Sequence, residues 1–224
     1  KYAAATKVDY ELLDACFDPK KSDTTFYEYA YEEGDWEKAF EEADEIIDDE
    51  IFSAHQEHAY MEVQGLIGDY RDGKLTVRGS MQCPFYVHTA VMAVMGMNPE
   101  DINVIAEDTG GGFGGKEDVS AQHIAALAAW KTQRPVKVRF SREESIAFHP
   151  KRHAMEGTFT LGCDENGIFT ALDCDIYFDT GAYASLCGPV LERACTHSVG
   201  PYRYQNTDIR GYGYYTNNPP AGAY

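Results

Sequence analysis

Residues 107–120 read EDTGGGFGGKEDVS. Glycines at 110, 111, 112, 114 and 115 free the main chain to take positive φ and to approach a neighbour closely. Two nucleotide-binding spacings fit at once. Gly110, Gly115 and Lys116 satisfy G-x-x-x-x-G-K, and Gly110, Gly112 and Gly115 satisfy G-x-G-x-x-G. The preceding run INVIAED (102–108) is a predicted strand. A helix is predicted from about Ser120 to Thr132, with Ile124, Leu127 and Ala128 on its buried face. A loop so placed can line up successive N–H groups as a concave anion nest, helped by the dipole of the helix that follows.

Neither nucleotide reading completes. A Walker loop needs Ser or Thr after its lysine to hold Mg²⁺. Glu117 and Asp118 stand there instead and would repel a triphosphate. A dinucleotide fold needs the loop after its first strand, with an acid closing the second. Here the next strand is VKVRFS (136–141), followed by Glu143 and Glu144, and Lys116-Glu117 crowds the site. A nucleotide-binding enzyme using the Gly110–Lys116 loop, and a glycine-rich turn with no ligand, both stay open on the residues alone.

Outward from the loop, PFYVHTAVMAVMGM is a predicted helix opening on Pro84 and ending near Asn98-Pro99, its methionines serving as core filler. YMEVQGLIGDYRDGKLTVRGS is a predicted hairpin turning at Arg71-Asp72-Gly73. Asp35 caps a short helix with Trp36, Ala39, Phe40 and Ala43 on one face. EIIDDEIF follows as a strand. Residues 153–180 form a hairpin turning at Asp164–Gly167. Ile168, Thr170, Leu172, Cys174, Ile176 and Phe178 share one face of it, and Asp173, Asp175 and Asp179 the other. A short helix around Val190–Val199 and a tyrosine-rich strand at 208–216 complete an α+β chain with mixed sheets. KYAAATKVDYELL (1–13) is read as a strand ending, and FDPKKSDTT (17–25) as an exposed connection and domain boundary.

The chain has 224 residues and a formal charge of −18. Residues 1–50 carry 17 acids against five lysines, which is −12 of that total. Such a balance disfavours nucleic acid as a partner. None of the six cysteines forms C-x-x-C, so no iron–sulfur or zinc spacing is present, and several sit in apolar contexts expected of reduced core residues. Without a signal peptide or a long apolar run, a cytoplasmic protein with no membrane partner is expected. The start at Lys1 and the stop straight after NNPPAGAY fit a piece of a larger assembly.

TGGGFGGKED (109–118) resembles the glycine loop of the molybdenum hydroxylases, the xanthine dehydrogenase and aldehyde oxidase family. QEHAYME (56–62) is similar to that family's Q-E-H-x-Y-x-E segment. MQCPFYVHTAVMAVMGM, KTQRPVKVRFSREE, KRHAMEGTF, LERA and NNPPAGAY resemble further segments in the same order. The resemblance implies that residues 1–25 are the end of an α/β hammerhead domain and its linker, and that 26–224 are the first part of a molybdopterin-binding domain.

It also implies roles. Gly112, Phe113 and Gly114 would lie against the molybdenum centre, the glycines because a Cβ would strike the pterin and Phe113 as an apolar wall. Gln56 would donate an amide hydrogen bond to an oxygen of that centre. Glu117 would contact substrate, which points to a purine-like nitrogen heterocycle, with an aldehyde-oxidising member as the alternative. Lys116 would brace the loop or meet solvent. No protein side chain would ligate molybdenum, and the His55/His58 pair is not read as zinc. The implied reaction hydroxylates an electron-poor carbon with water as the oxygen source. Electrons would leave through 2Fe-2S and FAD modules on partner domains or subunits. The general base and an arginine turn would lie outside these residues, so this stretch alone would be inactive.

Overall fold

The computed structural model describes residues 14–224, so the strand read at 1–13 lies outside the described residues. Two sheets share the chain, one nested inside the other. β1 (Thr25–Glu33), α1 (Trp36–Glu41) and β2 (Glu45–Ser53) come first. The chain then leaves to build β3 (Gly65–Arg71), β4 (Lys74–Ser80), α2 (Pro84–Met95), β5 (Ile102–Glu107), α3 (Gln122–Thr132), β6 (Val136–Arg139) and α4 (Arg142–Phe148). It returns through β7 (Lys151–Arg152), β8 (Ala154–Cys163), β9 (Phe169–Gly181), α5 (Cys187–His197), β10 (Asn206–Tyr215) and β11 (Ala221–Gly222). The outer sheet has the order β1-β10-β9-β8-β2, the inner one β5-β4-β3-β6, and β11 pairs with β7.

The inner sheet starts from the predicted hairpin. Asp72 and Gly73 both have positive φ (50° and 80°), which is what a two-residue turn between twisted strands demands. Leu66, Leu75 and Val77 from the strands meet Val87 and Val91 of α2. Met92, Met95 and Met97 pack at the edge of that core as filler. Gly96, left-handed at φ 62°, closes α2 by donating its N–H to Met92 O at 2.9 Å.

α3 presents a different face from the one expected. Ala125, Ala126 and Ala129 are buried, whereas Ile124 and Leu127 are exposed. The reason is distance. A Cβ on Gly68 of β3 would run into the Ala125 carbonyl, so strand and helix approach too closely for anything larger than alanine. The larger side chains turn outward.

In the outer sheet Leu172, Cys174, Ile176 and Phe178 of β9 form the inward row, as period-two alternation predicts, and Leu191 and Cys195 of α5 cover them. Ile168 is exposed and precedes the strand. Burying Leu191 alone contributes about 2 kcal/mol. α5 sits tightly because β10 carries glycine beneath it: a Cβ on Gly213 would lie 3.0 Å from Cys187 Sγ. All six cysteines are free thiols, and Cys163, Cys174, Cys187 and Cys195 are buried.

Asp179 departs from the expected solvent face. It is 3% exposed and accepts from Thr216 Oγ1 at 2.6 Å, the Gly181 N–H at 2.9 Å and Asn218 Nδ2. Nor does the run 17–25 stand off as a free connection. Ser22 Oγ donates to Tyr215 O at 2.6 Å, and Lys20 pairs with Glu156 at 2.8 Å. Asp35 caps α1 as predicted, accepting from Lys38 N at 3.2 Å. Among the described residues, no helix is long and apolar enough to cross a membrane.

Candidate functional site

The glycine loop leaves β5 and turns back across residues 58–62 and 222–224. Its crowding comes from the protein itself. A Cβ on Gly114 would lie 2.7 Å from Tyr224 N and 2.8 Å from Ala223 C, one on Gly112 would strike Gln82 Oε1, and one on Gly115 would lie 2.8 Å from Tyr60 Cε1. Gly111, Phe113 and Gly114 all have positive φ (98°, 53° and 87°). A left-handed phenylalanine is uncommon and is held here by its surroundings. Phe113 itself is 63% exposed, its ring standing off the loop.

Lys116 is the loop's internal brace. Its Nζ is 2.8 Å from Glu62 Oε2, 2.9 Å from Ser80 Oγ and 4.8 Å from the Tyr60 ring centroid. Glu62 Oε2 also accepts the Gly110 N–H at 2.7 Å. Burial pushes the Glu62 carboxyl up, but Lys116, the Gly110 N–H and Ser80 outweigh it and hold it down at about 2. An ammonium spent in this way cannot reach a phosphate, which removes the Walker reading. The dinucleotide reading falls on topology. β6 pairs antiparallel with β3 at the far edge of the sheet, not beside β5. Glu144 is engaged in a capping box with Ser141.

The loop's next neighbours are histidines. His58 Nε2 hydrogen-bonds the Ala223 carbonyl at 2.7 Å, and His149 Nε2 the Gly115 carbonyl. Burial lowers both, His149 to about 4, so both rings are neutral near pH 7. Asp118, raised by burial, accepts from Ser185 Oγ and lies 3.4 Å from Ala223 N. These contacts weld residues 222–224 to the loop.

Against that weld lies a cleft of about 690 Å³, lined by Gly114, Glu117, Arg152, His153 and Arg193 among others. Phe178, from the outer sheet, forms its apolar wall and stacks on His153 with ring centroids 5.0 Å apart. His153 is 2% exposed, neither ring nitrogen has a partner, and burial lowers it to about 4. Arg152 is fixed by Ser53 Oγ at 2.7 Å and lies 5.4 Å over the Tyr224 ring.

Of the residues singled out in the sequence, Gly114 and Glu117 line this cleft. Gln56 does not; its side chain is exposed and donates to Glu57 O at 3.2 Å, while its carbonyl accepts the N–H of Arg152 at 3.0 Å. Gly112 is buried under Gln82, and Phe113 projects to solvent. Arg152, His153 and Arg193 carry no signal of a role in the sequence, although KRH and LERA both fall in segments that resemble the family. Only the fold brings these three to one cleft.

The glycine loop beside the cleft also leaves main-chain donors free. Among the described residues, none of the N–H groups of Gly111, Gly112, Phe113 and Gly114 donates a hydrogen bond, whereas those of Gly110, Gly115 and Lys116 on either side do. Of these, Gly114 lines the cleft together with Arg152 and Arg193, and a free N–H beside two guanidinium groups suits anionic oxygens.

Comparison with known proteins agrees. Residues 17–224 match the molybdopterin cofactor-binding domain family. The chain is 34% identical to the nicotinate dehydrogenase large molybdopterin subunit of Eubacterium barkeri, over 98% of this chain and 55% of that protein. It is 32% identical to a probable xanthine dehydrogenase component of Bacillus subtilis, over 97% of this chain and 31% of that protein. It thus spans about half the length of these curated relatives, or less. The aldehyde oxidoreductase of Desulfovibrio gigas shares the fold at a TM-score of 0.90 and 22% identity, over 97% of this chain and 26% of that one. The chain belongs to the molybdopterin cofactor-binding domain family of the xanthine dehydrogenase and aldehyde oxidase group.

Proposed function

We propose that this chain is the part of a molybdenum hydroxylase that holds the cofactor and one wall of the substrate site, and that the substrate is a nitrogen heterocycle. Residues 26–224 form the first part of the cofactor domain in this reading, and 1–25 the end of a preceding hammerhead domain. The free N–H of Gly114 holds cofactor oxygens at the edge of the cleft, and Gln56 supplies a further amide donor once its side chain turns from Glu57 O toward them. When bound, the cofactor supplies water-derived oxygen to an electron-poor carbon and takes up two electrons. They leave through iron–sulfur and flavin modules carried by other domains or subunits, and the assembled protein is needed for turnover.

The observation that carries the substrate class is that Glu117 and Arg193 both line one cleft. A carboxylate accepts from a ring N–H, and a guanidinium donates to a ring carbonyl or carboxylate. An aldehyde offers no N–H for Glu117. His153 and Phe178 exclude water from the wall behind them. The relatives named for nicotinate and xanthine support this reading. An aldehyde oxidase 2 of Cavia porcellus, 32% identical over 85% of this chain and 15% of that protein, keeps aldehyde oxidation as the second reading.

The test is Glu117→Gln in the complete enzyme, assayed against purines, nicotinate and benzaldehyde, with molybdenum content measured on the same sample. Loss of about tenfold or more on heterocycles with aldehyde turnover intact is expected. Equal loss on both classes at full molybdenum content would refute the heterocycle assignment.

A further inference from the structure

Behind the loop, Glu57, His58 and His149 each place one ligating atom within 4.8 Å of the others. Both histidines are buried, at 6% and 3% exposure, and their rings meet edge-on with centroids 5.1 Å apart. Each ring spends Nε2 on a backbone carbonyl. A carbonyl only accepts, so Nε2 carries the ring proton and Nδ1 keeps its lone pair. Both Nδ1 atoms are buried without a partner, and Glu57 Oε2 is met by the Lys151 ammonium at 2.7 Å. A ring fixed through one nitrogen by a carbonyl, with the other bare, is the arrangement that orients a metal-binding histidine.

We propose that Glu57, His58 and His149 form a binding site for a divalent cation of the zinc class. Two imidazoles and one carboxylate favour zinc or its transition-metal neighbours over magnesium or calcium, which take oxygen ligands. Metal–ligand distances of about 2.0–2.1 Å require the three atoms to draw closer. Glu57, with its side chain 17% exposed, has the most freedom to do so. Lys151 Nζ lies 2.7 Å from Glu57 Oε2 and is the cation now answering that carboxylate. The metal ion takes its place, and Lys151 swings outward still protonated, so binding through this exchange releases no proton. The carbonyls held by the two rings belong to Gly115 and Ala223, so an occupied site ties the loop to the 222–224 segment more firmly.

The test uses the intact enzyme freed of adventitious metal. Zn²⁺ is titrated by calorimetry, and crystals soaked in Zn²⁺ are examined by anomalous scattering at the zinc edge. One peak between the three side chains is expected, with a rise in Tm on zinc addition. Lys151→Met, which removes the competing ammonium, should tighten binding about tenfold, and Glu57→Gln should weaken it by at least as much. Absence of a peak at these residues in both wild type and Lys151→Met, or zinc found only elsewhere, would overturn the proposal. Should Glu57→Gln not fold, the wild-type and Lys151→Met arms decide the matter.

Discussion

Two glycine turns in this molecule look alike on paper and are unlike in space. At Asp164–Gly167 the turn between β8 and β9 is held chiefly by Asp164, whose Oδ1 accepts from Asn166 N and Ile168 N at 2.9 Å each, and by Asp44, whose Oδ2 accepts from Glu165 N at 2.8 Å. A Cβ added at Gly167 would meet nothing within 4 Å. In the Gly110–Gly115 loop, Cβ positions at all five glycines run into Glu62, Tyr60, Gln82, Ala223–Tyr224 or His58 and His149. One glycine is needed for its φ alone, and the other five for the space they leave, with Gly111 and Gly114 needed for their positive φ as well. A loop so packed is rigid before any ligand arrives, which is what holding a cofactor requires.

Substitutions can break or sharpen this contrast. The largest effect is expected at Gly114→Val, which adds a left-handed β-branched residue to a clash with main chain. Overpacking and backbone strain together cost about 4 kcal/mol or more. Loss of folded subunit on expression, or a fall in Tm well beyond that of any other variant here, would register it. A Tm like that of Gly167→Ala would erase the distinction between the turns.

Glu62→Ala comes next. It strands the Lys116 ammonium, whose side chain is 1% exposed. One-sided removal of a fully buried pair costs about 3–5 kcal/mol. Glu62 is itself 44% exposed, so screening reduces the expected loss to about 2 kcal/mol. Lys116→Met should cost less, because it leaves the remaining charge in contact with water. The two single variants and the double variant, compared by denaturant unfolding, measure the coupling.

Asp179 tests the outer sheet by pH. Burial pushes its carboxyl up, but His55, Thr216, the Gly181 N–H and Asn218 outweigh that and hold it below its ordinary value. The same carboxylate, 3.5 Å from His55 Nε2, raises His55. Asp179 therefore contributes stability above its unfolded value near 3.9, and this is lost as pH falls through the folded one. His55 contributes below about 6.5, and that part is lost as pH rises through its raised folded value. The pair is fully engaged from about pH 4 to 6.5. Asp179→Asn should cost about 1–2 kcal/mol in that window and flatten the profile of Tm against pH at both ends. The smallest change belongs to Gly167→Ala. Left-handed strain is partly offset by the reduced freedom of the unfolded chain, for a net loss of about 1 kcal/mol or less.

Local features were legible in the sequence because they depend on neighbours within a few residues. The Asp35 cap, the Asp72-Gly73 turn and the alternating row from Leu172 to Phe178 all follow from spacing. The inward face of α3 was not legible, because Ile124 and Leu127 carry the apolar signal and the deciding fact is the closeness of Gly68, more than fifty residues away. Asp179 misleads for the same reason: alternation puts it outside, and partners at 55, 216 and 218 put it inside. At the site, the segment order identified the family, and two of the residues it singled out, Gly114 and Glu117, line the cleft. Arg152, His153 and Arg193 share a cleft only through β7, β8 and α5, and His58 meets His149 across ninety-one residues of chain.

The sheet order carries a consequence for synthesis. β1 has no partner until β10 has been made, and β2 none until β8, whereas the β3–β6 sheet between them is complete by Arg139. As the chain leaves the ribosome, the inner unit can therefore close while two acidic strands wait with unpaired edges. The excess of Asp and Glu along residues 25–53 gives those waiting strands a charge that repels like strands on neighbouring nascent chains.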